Sequence, residues 1–364
     1  MDMKLAAVAL ILLAAACTSS ATPQASHVSP SAPAAAVSPS PGNSPAPAPP
    51  SPSWTLGLGA TAVSTVDFSC RLPVFDDQGQ GPTGGFIDFP SGEVTPDPAA
   101  ATVSVAHFGR ELVGQSYLHY YDRAYSRWLP VSRNAVSPDG SHYAYADRAL
   151  GVEAANPPDA ILHVVDVRTG AEQTFDDGPS AAPYEVLDYA AAGIYLVTPF
   201  AGENGLWLMD PGNGDTARVA TLWDVQGSGG RSVFWLGAVN PSDPQAINGT
   251  APDELDRLNL ADGSRAAWFY RPGSSVHFVT EDVAGNPVII ASGVSGPAQL
   301  LLLDGPGVSR SIWVNGDQVP AIGSPIADSH GLWFGAPDGI FLYSAANGMQ
   351  KVSNQGGYPA NGCF

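Results

Sequence analysis

The side chains able to do chemistry in this chain are few and widely scattered. The histidines stand at His27, His107, His119, His142, His163, His277 and His330. None is spaced as His-x-x-x-His or His-x-x-Glu-His, and no paired-cysteine motif accompanies them, so the spacing supports no zinc site. His119 and His163 occupy one position in their local repeats, which marks a structural face. A serine nucleophile at a strand-to-helix elbow would need Gly-x-Ser-x-Gly. Gly227-Ser228-Gly229 and Gly293-Val294-Ser295-Gly296 do not fit that pattern. The oxygen-bearing side chains placed near inner strands are Asp188, Asn240, Asp282 and Asp328. Together such groups could hold Ca²⁺, which takes about six to eight oxygen ligands; the same residues also suit strand ends facing a watery channel. The expectation is no catalytic constellation and no cofactor, with calcium as the alternative.

What would position these residues is a repeat. Short apolar runs end in a polar residue and turn over a glycine: Ile161 to Asp166 closing on Gly170, Leu206 to Asp210 on Gly214, and Leu255 to Asn259 on Gly263. Weaker copies end at Asp88 (Gly92), Asp122 (no glycine), Asp304 (Gly307) and Ser344 (Gly348). Short strands repeated about every 40 to 50 residues predict a β-propeller, one sheet per blade. No helical periodicity competes with these runs; Gly, Pro, Asn and Asp turns separate them. The fold class is all-β: a propeller of four-stranded antiparallel sheets, its ring closed by the N- and C-terminal segments. Seven markers give seven blades, or six if the short Asp88-to-Asp122 step is a connector.

The N-terminus predicts export. Lys4 precedes an apolar stretch from Leu5 to Ala16, too short as a helix to cross a hydrocarbon core about 30 Å thick. Residues 1–16 read as a signal peptide. Leu13-Ala14-Ala15-Ala16-Cys17 resembles the bacterial lipobox, with Ala14 where leucine is more usual, which implies lipidation of Cys17. From Thr18 to Ser53 the chain has 10 Pro, 10 Ser and 8 Ala and no charged side chain. Such a segment cannot bury enough apolar surface to offset its chain entropy and is expected to act as an extended tether. The domains are therefore residues 1–16, 17–53 and a propeller at 54–364. After lipidation, Cys70 and Cys363 remain as an even pair, one at each end of the folded region, where a bond would close the ring.

The chain carries 15 basic and 34 acidic residues, a net charge of −19. Nucleic acid is excluded as a partner, and membrane attachment falls to the lipid anchor rather than to a basic surface. Trp223, Trp268 and Trp313, each 45 residues from the next, are expected to pack between sheets, as are Trp207, Trp235 and Trp333.

One blade is more explicit. Trp128 to Val131 reads as a closing strand, Ala135-Val136-Ser137-Pro138-Asp139-Gly140 as an inner strand ending in a turn, and Tyr143 to Ala146 as a second strand, with an echo at Ala336-Pro337-Asp338-Gly339. This motif resembles the WD40-like repeat of TolB-type propellers. The resemblance implies the architecture of roughly residues 68–364 and no particular role. The expected function is a monomeric, envelope-anchored module that binds a protein, peptide or cell-wall component. The alternative is a propeller enzyme resembling calcium-dependent lactonases or quinone dehydrogenases, with its site at the central channel.

Overall fold

The computed structural model describes residues 62–76, 83–103, 110–112, 119–149, 161–175, 184–197, 205–221, 225–230, 233–240, 251–293, 296–315, 322 and 325–364. The expected signal, Cys17, the tether and Trp223 lie outside them. The described residues are almost entirely strand and turn, and none of their helices is long and apolar enough to cross a membrane. They belong to one unit, Trp54–Phe364.

Six four-stranded antiparallel sheets are present among the described residues. Blade 1 comprises Cys70–Asp76, Thr83–Phe89 and Glu93–Pro96, with Tyr358–Pro359 added against its first strand. Blade 2 comprises Arg110–Leu112, His142–Ala149, Ile161–Asp166 and Glu172–Phe175. Blade 3 runs from Glu185 to Ala220, blade 4 from Val225 to Tyr270, blade 5 from Ser274 to Asn315 and blade 6 from Ile326 to Ser353. Each of these four is a meander of consecutive strands.

The seven-blade expectation is therefore corrected to six. The surplus marker is Asp122, the one without a glycine. It ends Tyr120–Asp122, which among the described residues pairs only with Arg127–Leu129 as a two-stranded hairpin. A glycine in the left-handed region closes the hairpin between the last two strands of all six sheets: Gly92, Gly170, Gly214, Gly263, Gly307 and Gly348 have φ between 69° and 82°. That backbone conformation is nearly free of cost only for glycine, so the turn chemistry counts blades better than the apolar runs do.

Blade 2 is the irregular one. Its second strand, His142–Ala149, is edged by Arg110–Leu112 at one end and by a single bridge from Val136 to Tyr143 at the other. Residues Arg133–Ala135 form a 3-10 turn, so the expected inner strand shrinks to Val136, and the expected closing strand at Trp128 belongs to the connecting hairpin. The Ser-Pro-Asp-Gly turn does form: Gly140 N–H donates to Ser137 O at 2.8 Å, and Asp139 accepts the Ser137 hydroxyl and the Ser141 N–H. Those bonds hold the Asp139 carboxyl down at about 2.

Apolar faces of adjacent sheets make the core. Trp235 and Trp333 are fully buried, and Trp207 and Trp313 nearly so. Trp268 on the outermost strand of blade 4 meets Trp235 edge-on at 5.0 Å. Packing, as expected, is the role of these five indoles. His163 is buried in blade 2, stacked on Tyr145, with one ring nitrogen bonded to Glu172 and the other 3.2 Å from Asp147. His119 stacks on Phe75.

The last residues are tied into the start of the domain. Arg71 and Phe364 exchange backbone hydrogen bonds, Ala360 N–H donates to Pro73 O, and Cys70 is disulfide-bonded to Cys363 with Cα atoms 5.5 Å apart. Asn361 adds bonds to Tyr120 and Tyr121 of the hairpin.

Candidate functional site

The innermost strands of blades 1, 3, 4, 5 and 6, with the Arg133–Ala135 turn and Val136 at the edge of blade 2, line a cavity of ≈ 800 Å³. Phe75 and Tyr358 come from blade 1, Arg133 and Val136 from blade 2, Asp188, Tyr189 and Tyr195 from blade 3, Ser228 and Gly229 from blade 4, Phe278 to Asp282 from blade 5, and Ile326 from blade 6.

The inner strand of blade 4 organises the wall because it is bonded to both neighbours. The Ser228 hydroxyl donates to Asp188 Oδ2 of blade 3 at 2.9 Å. On the other side, Gln226 Oε1 accepts the Phe278 N–H of blade 5 at 2.6 Å, and the Phe278 ring lies over Gly227, where a Cβ would overlap it. Gly229 leaves room for Glu281: any side chain at 229 would overlap Glu281 Oε1. That oxygen accepts the indole N–H of the fully buried Trp235 at 2.5 Å. Two carboxylates from different blades are thus held against consecutive residues, Ser228 and Gly229.

Burial dominates both groups. It raises the Asp188 pKa, opposed by the Ser228 hydrogen bond and the Arg133 charge. The Glu281 pKa rises from 4.5 to about 7, chiefly by burial and further by Asp282, against the Trp235 bond and Arg257. Folding therefore takes up a proton at Glu281 between about pH 4.5 and 7; the stability it contributes is lost as pH rises through that range, and above about 7 the loss is complete and constant. Glu281→Gln, which keeps the shape and an acceptor for Trp235, is expected to leave stability unchanged near pH 4.5. At pH 8 it should raise stability by about 1 kcal/mol, a figure reduced from the full shift because the side chain borders solvent. Urea unfolding at the two pH values checks this; equal effects at both would refute it.

The four candidate oxygen ligands are not gathered. Asp188 and Asp282 line the cavity, but Asp282 is spent on its own turn, accepting the N–H groups of Ala284 and Asn286 and the Asn286 side chain. Asn240 N–H donates to buried Asp253, and Asp328 accepts from Trp333, His330 and Cys363. Among the described residues no group of three or more His, Cys, Asp and Glu side chains is placed to hold a metal ion. The residues that sequence reasoning missed are Glu281, Ser228 and Arg133. One signal was present: an indole buried at Trp235 needs an acceptor, and Gly227-Ser228-Gly229-Gly230 marks a strand end that others approach closely.

Fold and cavity together define, among the described residues, a six-bladed β-propeller with a central pocket. No family model matches the chain, and no curated protein matches it. Among solved structures it is similar to TolB from Acinetobacter baumannii, at 11% identity and a TM-score of 0.44 over 81% of this chain and 66% of that one. It is also similar to an auxiliary nutrient binding protein from Bacteroides thetaiotaomicron VPI-5482, at 9% identity and a TM-score of 0.37 over 74% and 70% of the two chains. A third likeness is to an oligogalacturonate lyase in complex with manganese, at 11% and 0.32 over 67% and 85%. The match spans just under two thirds of the TolB chain, and these likenesses concern fold alone.

Proposed function

We propose that the chain is an exported, lipid-anchored binding module, tethered through Cys17 and the Pro/Ser/Ala-rich segment, whose propeller holds a protein, peptide or cell-wall partner where the central cavity opens. The Cys70–Cys363 bond and the Tyr358–Pro359 strand close the ring and keep that face rigid. The observation carrying this reading is the cavity itself: residues at the inner edges of the blades line it, and Asp188, Ser228 and Glu281 in its wall are fixed by hydrogen bonds between blades. Preorganised, partly apolar concave surfaces with a few placed polar groups are what recognition requires.

Two variants of the full chain test it. Cys17→Ser is expected to abolish incorporation of labelled palmitate and to shift the protein out of the membrane fraction; unchanged membrane retention would remove the anchor from the account. Ala192→Trp, at an exposed residue of the cavity wall, is expected to keep the fold and lose retention of envelope components. Identical retention by both chains would place binding elsewhere.

One observation favours a second reading. A carboxyl near pKa 7 in a pocket is tuned for general acid–base work, and Glu281 would then serve a small-molecule reaction in the same cavity.

A further inference from the structure

Blade 4 holds two acidic side chains against each other. Glu254 and Asp256 stand two residues apart on Glu254–Asn259, its third strand, and so project from one face. That face is turned to blade 3: Leu236, directly across from Asp256, packs with Tyr195 and Leu206. The two carboxyls lie within hydrogen-bonding reach of each other. Asp256 is 6% exposed; its Oδ2 accepts the Arg265 Nε–H at 2.6 Å, and among the described residues no donor meets its buried Oδ1. Two ionised carboxylates can only accept. A proton on Glu254 supplies the donor that Oδ1 lacks, and one proton then serves both side chains.

The pair sits at a break in the sheet. Asp256 faces Ala267 on the outermost strand, Ser264–Tyr270, while Leu255 faces Phe269, so Trp268 is left over as a β-bulge. A bulge disrupts the ladder locally. Among the described residues this strand also has no neighbour on its outer side, which places it among the elements that open most readily. Arg265, which grips Asp256, belongs to the same strand. The bulged Trp268 meets Trp235 edge-on at 5.0 Å, and Trp235 donates its indole N–H to Glu281 in the cavity wall.

From this we propose that the outermost strand of blade 4 is a proton-operated latch. One proton shared by Glu254 and Asp256 holds Ser264–Tyr270 in place; its release loosens that strand and, through Trp268 and Trp235, the Glu281 side of the cavity. The proposal concerns how the cavity is held and does not depend on what occupies it.

Glu254 is kept protonated by its surroundings. Burial, the hydrogen bond to Asp256 and the charges of Asp256 and Asp253 push its carboxyl from 4.5 up to about 7, against Arg265. Its cross-strand neighbours are Ala238 and Tyr270, and blade 3 meets this face with apolar side chains and Tyr195. A proton bound more tightly in the latched form is kept below about pH 7 and lost above it, so the latch weakens as pH rises from 6 to 8. With the ordinary carboxyl value restored in the opened strand, linkage gives about tenfold more opening at pH 8 than at pH 6, an upper value because Glu254 borders solvent.

The test is hydrogen exchange read by mass spectrometry on the processed full chain in neutral detergent at pH 6 and 8, each corrected for intrinsic exchange. Between the two, the amides of Ser264–Tyr270 are expected to lose protection by about fivefold to tenfold, while those of Val308–Asn315, the outermost strand of blade 5, keep theirs. Glu254→Gln, whose side-chain amide donates to Asp256 at either pH, should retain at pH 8 the protection seen at pH 6, a gain that misfolding cannot mimic. The connection to the cavity is read in Glu281→Gln, which removes that carboxyl's own titration. In this variant Ser274–Glu281 should still lose protection from pH 6 to 8, and adding Glu254→Gln should abolish the loss. The latch is overturned if Ser264–Tyr270 responds no more than Val308–Asn315, or if Glu254→Gln leaves the response unchanged. A response in Ser264–Tyr270 with none in Ser274–Glu281 overturns the connection to the cavity.

Discussion

Loss of the Cys70–Cys363 disulfide is expected to lower the unfolding free energy by about 3 to 5 kcal/mol. The bond spans a sequence separation of 293, so it removes a large loop-closure entropy from the unfolded chain. The chain-entropy relation gives on the order of 5 kcal/mol as its upper value. It also joins the first residue of blade 1's leading strand to the penultimate residue of the chain. The backbone bonds between Arg71 and Phe364 and between Ala360 and Pro73 depend on the same junction. In the Cys70→Ser, Cys363→Ser double variant these amides should lose hydrogen-exchange protection before those of blades 3 to 5. Urea unfolding of the variant against the oxidised protein measures the total. An unchanged midpoint would mean that the terminal strand is held by packing alone.

The second large effect is at Asp328, a candidate oxygen ligand or strand-end residue from sequence and found at a structural junction. Its Oδ2 accepts both the Trp333 indole N–H and the Cys363 backbone N–H at 2.7 Å, and its Oδ1 accepts the His330 N–H. Trp333 is fully buried and Cys363 nearly so, so Asp328→Ala strands two buried donors. Each orphaned buried group costs about 1 to 3 kcal/mol, and Asp328→Ala should therefore destabilise by about 3 kcal/mol. Asp328→Asn keeps an acceptor oxygen and should cost less than half as much. Because Cys363 shares the junction, Asp328→Ala and Cys363→Ser should be non-additive in a double-mutant cycle. Full additivity would contradict the coupling.

Much of the architecture could be read from the chain because glycine carries an unambiguous signal. A polar residue followed four positions later by glycine marks the last hairpin of five blades, with Gly307 three positions after Asp304 in the sixth. Asp122, lacking one, ends a hairpin outside the blades. The spread of intervals obscured this, since Asp122 ends an apolar run like the rest. Blade 2 was half legible: its Asp139 turn forms, yet its inner edge is shared between Arg110–Leu112 and Val136, a tertiary arrangement with no local pattern. The cavity was legible only in outline. Acidic residues near inner strands were the right class, and Asp188 is in the wall, but Asp282 and Asp328 are consumed by turns and caps. Glu281 was passed over for the adjacent Asp282, because strand alternation cannot reveal that Trp235 and Gly229, more than 45 residues earlier, make its place.

The most direct test of a binding propeller with its site at the central cavity is photo-crosslinking in living cells that make the full chain. A photo-reactive residue is introduced at Ala192 in the cavity wall, or at Val219 or Val308 on the exposed outermost strands of blades 3 and 5. The account expects a discrete adduct from position 192 and none from 219 or 308. Adducts from the outer positions with none from 192 would contradict it and move the site to the blade edges.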